Sequence, residues 1–164
     1  MRGYGRAIFL TDSSFGWCGN GLEEKTMKDI HVYLTFDGNC REAMKFYEKC
    51  LGGELHLMPF AEGAGKFDFP KEAKDRIMHA RLTKGAAVLM ASDSMPGHSC
   101  KKGDNFSVSI SCESLSETER IFSALSEGGT VKMPLQDTFW NARFGMLTDR
   151  FGINWMLNFE KSGK

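Results

Sequence analysis

No surplus of charge, no paired-cysteine motif and no long apolar run marks this chain of 164 residues. Lys and Arg total 21 against 21 Asp and Glu, so no long-range field exists to gather nucleic acid or an anionic membrane surface. No apolar stretch approaches the roughly 20 residues that a membrane-spanning helix needs. Nor does Ala7-Ile8-Phe9-Leu10, behind Arg2 and Arg6, reach the roughly 7–15 apolar residues of an export signal. The five cysteines (Cys18, Cys40, Cys50, Cys100 and Cys112) are odd in number and scattered, with no C-x-x-C pair. A secreted disulfide framework and a zinc ribbon are thereby set aside, and reduced thiols in a cytoplasmic protein are expected. What is present is a chain 41% apolar and 26% charged, the profile of one globular domain with material for a proper core.

Residues 1–28 are rich in Gly, Ser, Asp and Asn and follow neither the strand period nor the helix period. They read as a flexible extension, or as the product of a start placed too early, with Met27 the natural one. Gly16, Gly19 and Gly21 neither follow a strand nor open a helix, and Gly63-Ala64-Gly65-Lys66 lacks the spacing and the Ser/Thr of a phosphate loop.

Residues 29–164 read as a single domain with an internal repeat. A shift of 76 positions lays Val32 on Val108, Leu34 on Ile110, Phe46 on Phe122 and Gly52-Gly53 on Gly128-Gly129. The modules run from about 29 to 95 and from about 104 to 161. Each opens with alternation: His31 to Phe36 sets Val32, Leu34 and Phe36 on one face, and Asn105 to Ile110 sets Phe106, Val108 and Ile110 on one face. A helix follows in each. Asn39 with Glu42, and Ser116 with Glu119, have the spacing of N-caps. Ala43, Phe46, Tyr47, Cys50 and Leu51 then form an apolar stripe, and Ile121, Phe122 and Leu125 a weaker one. The glycine pairs end both helices. Three strands complete each module, at about 54–60, 76–84 and 86–93, then at about 130–137, 142–148 and 153–159, with turns at Lys84-Gly85 and Arg150-Phe151-Gly152. The fold class is α+β: tandem βαβββ modules forming a curved mixed sheet around a cleft, with helices on the outer face.

This layout resembles the vicinal oxygen chelate superfamily of glyoxalase I, extradiol dioxygenases and bleomycin-resistance proteins, and within it the PhnB-like branch. The residues that carry the resemblance are Tyr33 to Ala43, Phe46-Tyr47, Leu89 to Asp93 and Asp149 to Met156. It covers about residues 28–160. Metal-using members take a His or Glu from the first and last strand of each half. On this chain the resemblance puts those positions at His31, Met90, Asn105 or Ser107, and Met156. Only His31 is a ligand suited to a hard divalent ion, since thioethers favour soft metals. The implied cofactor is a divalent metal; the residues favour none. The resemblance also implies a homodimer, in which the cleft can contain residues of both chains. A ubiquinone-methyltransferase label carried by similar proteins finds no glycine-rich strand-to-helix loop for a methyl donor here.

Two histidines enter the argument. If Lys84-Gly85 is a two-residue turn, Thr83 pairs with Ala86 and His79 falls opposite Met90, on the face that carries His31. Together they offer weak metal ligation, or a general base. A strand histidine in a cleft is more often a hydrogen-bonding wall residue, and His56 and His98 read as surface groups. Tyr33, Met90, Ser92, Asn105, Ser107, Trp140 and Met156 are the candidate lining, with Trp140 equally able to stack on a flat ligand or to anchor a strand end. Met90 and Met156 suit a soft pocket wall and ordinary packing alike. Trp155 reads as core. Asp37, Asp93 and Asp149 read as turn residues. Cys40, at a helix start, is where a thiolate can be favoured. The favoured function is metal-free binding of a small organic molecule. The alternative is a lyase, isomerase or dioxygenase using His31 and His79.

Overall fold

The computed structural model describes residues 29–63, 65, 68–98 and 100–161. The extension expected at 1–28, Met27 and Cys18 lie outside them. Alternation becomes strand and the apolar stripe becomes helix in the expected order. The elements are β1 (Val32–Phe36), α1 (Cys40–Leu51), β2 (Glu54–Pro59), two short 3-10 turns (Phe60–Gly63 and Lys71–Ala73), β3 (Ile77–Lys84) and β4 (Ala87–Asp93). The second module follows with β5 (Val108–Ser111), α2 (Leu115–Ser126), β6 (Thr130–Asp137), β7 (Ala142–Thr148) and β8 (Asn154–Glu160). Each module makes its own mixed four-stranded sheet, ordered β1-β4-β3-β2 and β5-β8-β7-β6, with the β1–β4 and β5–β8 pairs parallel and the others antiparallel. No helix among the described residues is long and apolar enough to cross a membrane.

Alternation decides which face each helix covers. Leu34 and Phe36, Ala80 and Leu82, Leu89 and Ala91 are buried on one face of the first sheet. Val108, Leu147, Trp155 and Leu157 are buried on one face of the second. Both faces, with α1 and α2, belong to one apolar cluster. Tyr47 of α1 touches Trp155 at 5.3 Å and Phe151 at 6.0 Å between ring centroids. Arg120 of α2 donates to the Cys50 carbonyl at 2.9 Å. The helices are outer with respect to each open face, and in the whole chain they lie between the two sheets. The open faces therefore point away from one another.

The polar group at the centre of this layer is Asp149, which is 4% exposed. Its Oδ1 accepts from the amides of Phe151 (2.8 Å) and Ile153 (3.0 Å). Its Oδ2 accepts from the Tyr47 hydroxyl (2.7 Å) and the Trp155 indole (2.8 Å). Burial, and then the carboxylate, push the Tyr47 phenol far above its ordinary range, so it stays a donor. Asp93 acts similarly in the first module, accepting from the Gly38, Cys40 and Ile77 amides. Neither is merely a turn residue.

Several local expectations shift. Asn39 precedes α1 without a side-chain cap, and its backbone (φ −113°, ψ 17°) is not the extended one that a cap takes. In the second helix the capping serine is Ser114, whose hydroxyl accepts from Glu117 at 3.1 Å, two residues earlier than expected at Ser116. Ser114 has the extended backbone that a cap requires. Strand β5 starts at Val108, where its partner β8 starts. Phe106 is thus exposed, with its carbonyl held by the Asn154 side chain instead of a ladder. The β3–β4 turn is Gly85-Ala86, with Lys84 opposite Ala87, because Gly85 at φ +57° supplies the positive angle that a tight hairpin needs at its first position.

The glycine pairs have a double cause. Gly52 caps α1 at φ +76°, and the second glycine lets the chain pass close to a neighbouring strand. A side chain at Gly53 would overlap the Thr83 carbonyl oxygen, and one at Gly129 the Thr148 carbonyl oxygen. We expect Gly52→Ala, which meets open space, to cost about 1–2 kcal/mol for its backbone angle alone. Gly53→Ala should cost more, since strain and overlap combine; equal urea-denaturation losses would refute the close-approach account. At the seam, Asp149→Asn should destabilise by about 3 kcal/mol, because it turns an acceptor for two buried donors into a donor. Tyr47→Phe should cost about 1–2 kcal/mol. A double-mutant cycle should give a coupling close to the Tyr47→Phe loss, and strict additivity would refute the clamp.

Candidate functional site

The groups with spare chemical capacity stand on the open faces. On the first sheet, the pairings Tyr33↔Met90, Met90↔Arg81 and Arg81↔His56 form one row across β1, β4, β3 and β2. Thr35 pairs with Ser92, and His79 with Met58, in the next row. His31 stands just ahead of β1 and is exposed. The Tyr33 hydroxyl and His79 Nδ1 share a hydrogen bond of 3.3 Å, with the rings 5.8 Å apart. His31, Tyr33, His79, Met90 and Ser92 are thus brought to one face, as the alternation implied. The partner of Met90 is Arg81 rather than His79. The turn moved the register by two residues, which changes the neighbour and keeps the face.

The second open face carries Met156 on β8, paired with Ser109 and Met146, while Ser107 lies one residue ahead of β5. At its edge the Asn154 amide oxygen accepts from Lys132 Nζ (2.9 Å) and from the Thr148 hydroxyl (2.8 Å). Asn105 is exposed on the approach to β5. Trp140 sits at the β6–β7 turn, half exposed, its ring 4.7 Å from that of Phe139, which is 97% exposed. The turn is held by the Thr138 amide donating to the Ala142 carbonyl and by the Asn141 side chain donating to the Lys161 carbonyl, both at 2.9 Å. Asn141 takes φ +63° there. Two aromatic rings are thus presented on a fixed turn.

The predicted residues fall into two sets on faces that diverge within the chain. His31, Tyr33, His79, Met90 and Ser92 form one; Asn105, Ser107 and Met156 form the other. The metal positions implied by the resemblance divide in the same way. They supply one imidazole, two thioethers and an amide or hydroxyl, a donor set that does not suit a hard divalent ion. Among the described residues no group of three or more His, Cys, Asp or Glu is gathered to hold one. The residues present do not fit the quartet. The sequence reading missed Arg81, although alternation from His79 places it on the same face. It also missed the Lys132–Asn154–Thr148 cluster, which no local pattern announces.

Comparison with known proteins places this geometry. A family model described as 3-demethylubiquinone-9 3-methyltransferase matches residues 28–158. Protein YjdN of Escherichia coli is 34% identical over 148 residues, covering 80% of this chain and 95% of that protein. The crystal structure of PA1353 from Pseudomonas aeruginosa is 49% identical, covers 82% of this chain and 98% of that one, and superposes with a TM-score of 0.73. A PhnB protein from Bacillus cereus, described as a putative 3-demethylubiquinone-9 3-methyltransferase, is 25% identical, with coverage of 80% and 99% and a TM-score of 0.62. A glyoxalase/bleomycin resistance/dioxygenase family enzyme from Burkholderia phytofirmans shares the fold at 12% identity, with coverage of 80% and 97% and a TM-score of 0.57.

Among the described residues Cys40 and Cys50 add no nucleophile to these faces. Cys40 and Cys50 are buried on α1, and the thiols of Cys40, Cys50, Cys100 and Cys112 are free. Burial first, then the Asp93 carboxylate, push the Cys40 thiol up to about 12, the reverse of the activation expected at a helix start. Asp93 has taken the amides that would stabilise a thiolate. Raised above its unfolded value of 9.0, Cys40 adds stability below that pH and loses it as pH rises toward the folded value. In a variant that keeps Cys40 as its only cysteine, modification by dithionitrobenzoate at pH 8 should proceed no faster than unfolding. Rapid modification of the folded protein would refute this.

Proposed function

The chain belongs to the 3-demethylubiquinone-9 3-methyltransferase family, in its PhnB-like form within the vicinal oxygen chelate superfamily, and on that premise we propose that it binds a small organic molecule without a metal quartet. The observation that carries the proposal is the pair of uncovered sheet faces. Each mixes polar and apolar side chains, each holds a half-buried methionine (Met90 or Met156), and neither is used by the core. A cleft needs two walls. Since the faces of one chain diverge, the second wall comes from a second copy: the first-module face of one chain opposes the second-module face of its partner. A homodimer then has two equivalent clefts, and the exposed Tyr33, Met58 and Trp140 are covered in it.

The family description names a methyltransferase, and nothing in the site supports methyl transfer. The β1–α1 junction, Asp37-Gly38-Asn39, has a single glycine, and the amides beside it are occupied by Asp93. A second reading is favoured by the Tyr33–His79 hydrogen bond: an isomerase or lyase in which His79 moves a proton and Tyr33 fixes its ring. It differs from the first in requiring turnover that His79→Ala abolishes.

The neutral fluorescent probe N-phenyl-1-naphthylamine tests the shared cleft. Sedimentation should give a dimer, and the probe should saturate at one site per chain. Tyr33→Ala and Met156→Glu should each abolish the signal. When these two variants are unfolded together in equal amounts and refolded, about a quarter of the sites should return, since half the dimers are mixed and each mixed dimer has one intact cleft. A monomer that binds the probe, or no recovery in the mixture, would overturn the proposal.

A further inference from the structure

We infer that the open face of the first sheet takes an organic carboxylate with a flat apolar body, and that Arg81 is its anchor. The inference deepens the small-molecule reading above and rests on it. Arg81 is exposed, yet it projects from β3, an interior strand, into the row Tyr33–Met90–Arg81–His56. Among the described residues Arg76, Arg120, Arg143 and Arg150 each have a polar partner. Arg81 has none, and nor does Arg41, which lies on the exposed side of α1. Among the described residues Glu54 shares this face, opposite Thr83, with its carboxylate 3.6 Å from His56. Arg81 therefore keeps a guanidinium with no hydrogen-bonded partner, whose planar fork matches a carboxylate with two parallel hydrogen bonds.

The surroundings define the rest of the ligand. His79 lies two residues before Arg81 on the same strand face, against Met58, and its ring is fixed by Tyr33. Met58 and Met90 stand on either side of β3, in the rows of His79 and Arg81. Thioethers accept the edge of an aromatic ring well and adapt to its outline. A cation beside Met90 and diagonal to Met58, with an aromatic hydroxyl and an imidazole in the same two rows, suits an aromatic monocarboxylate better than a phosphate. A phosphate has no apolar surface to offer the methionines.

Benzoate and its neutral isostere benzamide separate charge from shape. With the full chain at pH 8, where unperturbed histidines are neutral, and at constant ionic strength, amide chemical shifts around Arg81 and Met90 are followed by NMR. Benzoate should shift them saturably and bind about tenfold more tightly than benzamide. Arg81→Gln should bring benzoate to the benzamide level, with the unperturbed remainder of the spectrum reporting an intact fold. Arg41→Gln should change nothing. Equal binding of the two probes, or an equal loss in Arg41→Gln, would overturn the anion site and leave the small-molecule reading standing. If neither probe moves these amides, the carboxylate site falls, and the naphthylamine titration decides the small-molecule reading separately.

Discussion

A single buried carboxylate sets the arrangement of the two modules. Asp149 follows β7, closes the turn into β8 through the Phe151 and Ile153 amides, and reaches the polar tips of Tyr47 and Trp155 with its other oxygen. A buried charge is tolerated only when its acceptor sites are filled, and here four donors fill them. One of the four comes from the first module. The same contact therefore satisfies the charge, fixes the turn and docks α1 against the second sheet. Around it close the Phe36, Phe46, Phe151 and Trp155 rings, with the Arg150 guanidinium 4.5 Å above Phe46. Helices between the sheets and open faces outward follow from this seam.

The parts legible in the sequence are those with a short period. Alternation at His31 to Phe36, the stripe from Ala43 to Leu51 and the repeated glycine pairs depend on neighbours within one element, and each is present. What was misread depends on contacts far apart in the chain. Asn39 has the spacing of a cap but not its extended backbone, in a junction where Asp93, more than 50 residues away, holds the Gly38 and Cys40 amides. Phe106 continues an alternation that ends for want of a partner strand. Glycine pairs were legible as caps, whereas their close approach to the carbonyls of Thr83 and Thr148 belongs to the packed sheet.

For the candidate site, the face of each residue was legible and its neighbours were not. Parity alone puts His31, Tyr33, His79, Met90 and Ser92 on one side of the first sheet. A two-residue error in the turn left parity intact while exchanging His79 for Arg81 beside Met90. Arg81 is set apart from Arg76, Arg120, Arg143 and Arg150 by the want of a polar partner, a property of the folded contacts that no local pattern carries.

Structural and chemical duties are divided between the two sides of each sheet. On the helix side, polar groups are consumed: Asp93 by three amides, Asp149 by four donors, and Cys40 by burial beside a carboxylate. Such groups have their hydrogen-bonding capacity taken up by the fold. On the open side, Arg81, His31, Met90 and Met156 face outward from a rigid ladder, and replacing them disturbs no core contact. The positions that the resemblance aligns with metal ligands, Met90 and Met156 among them, lie on that side too. That division lets residues on the open side vary while Asp149 and the aromatic seam stay as they are.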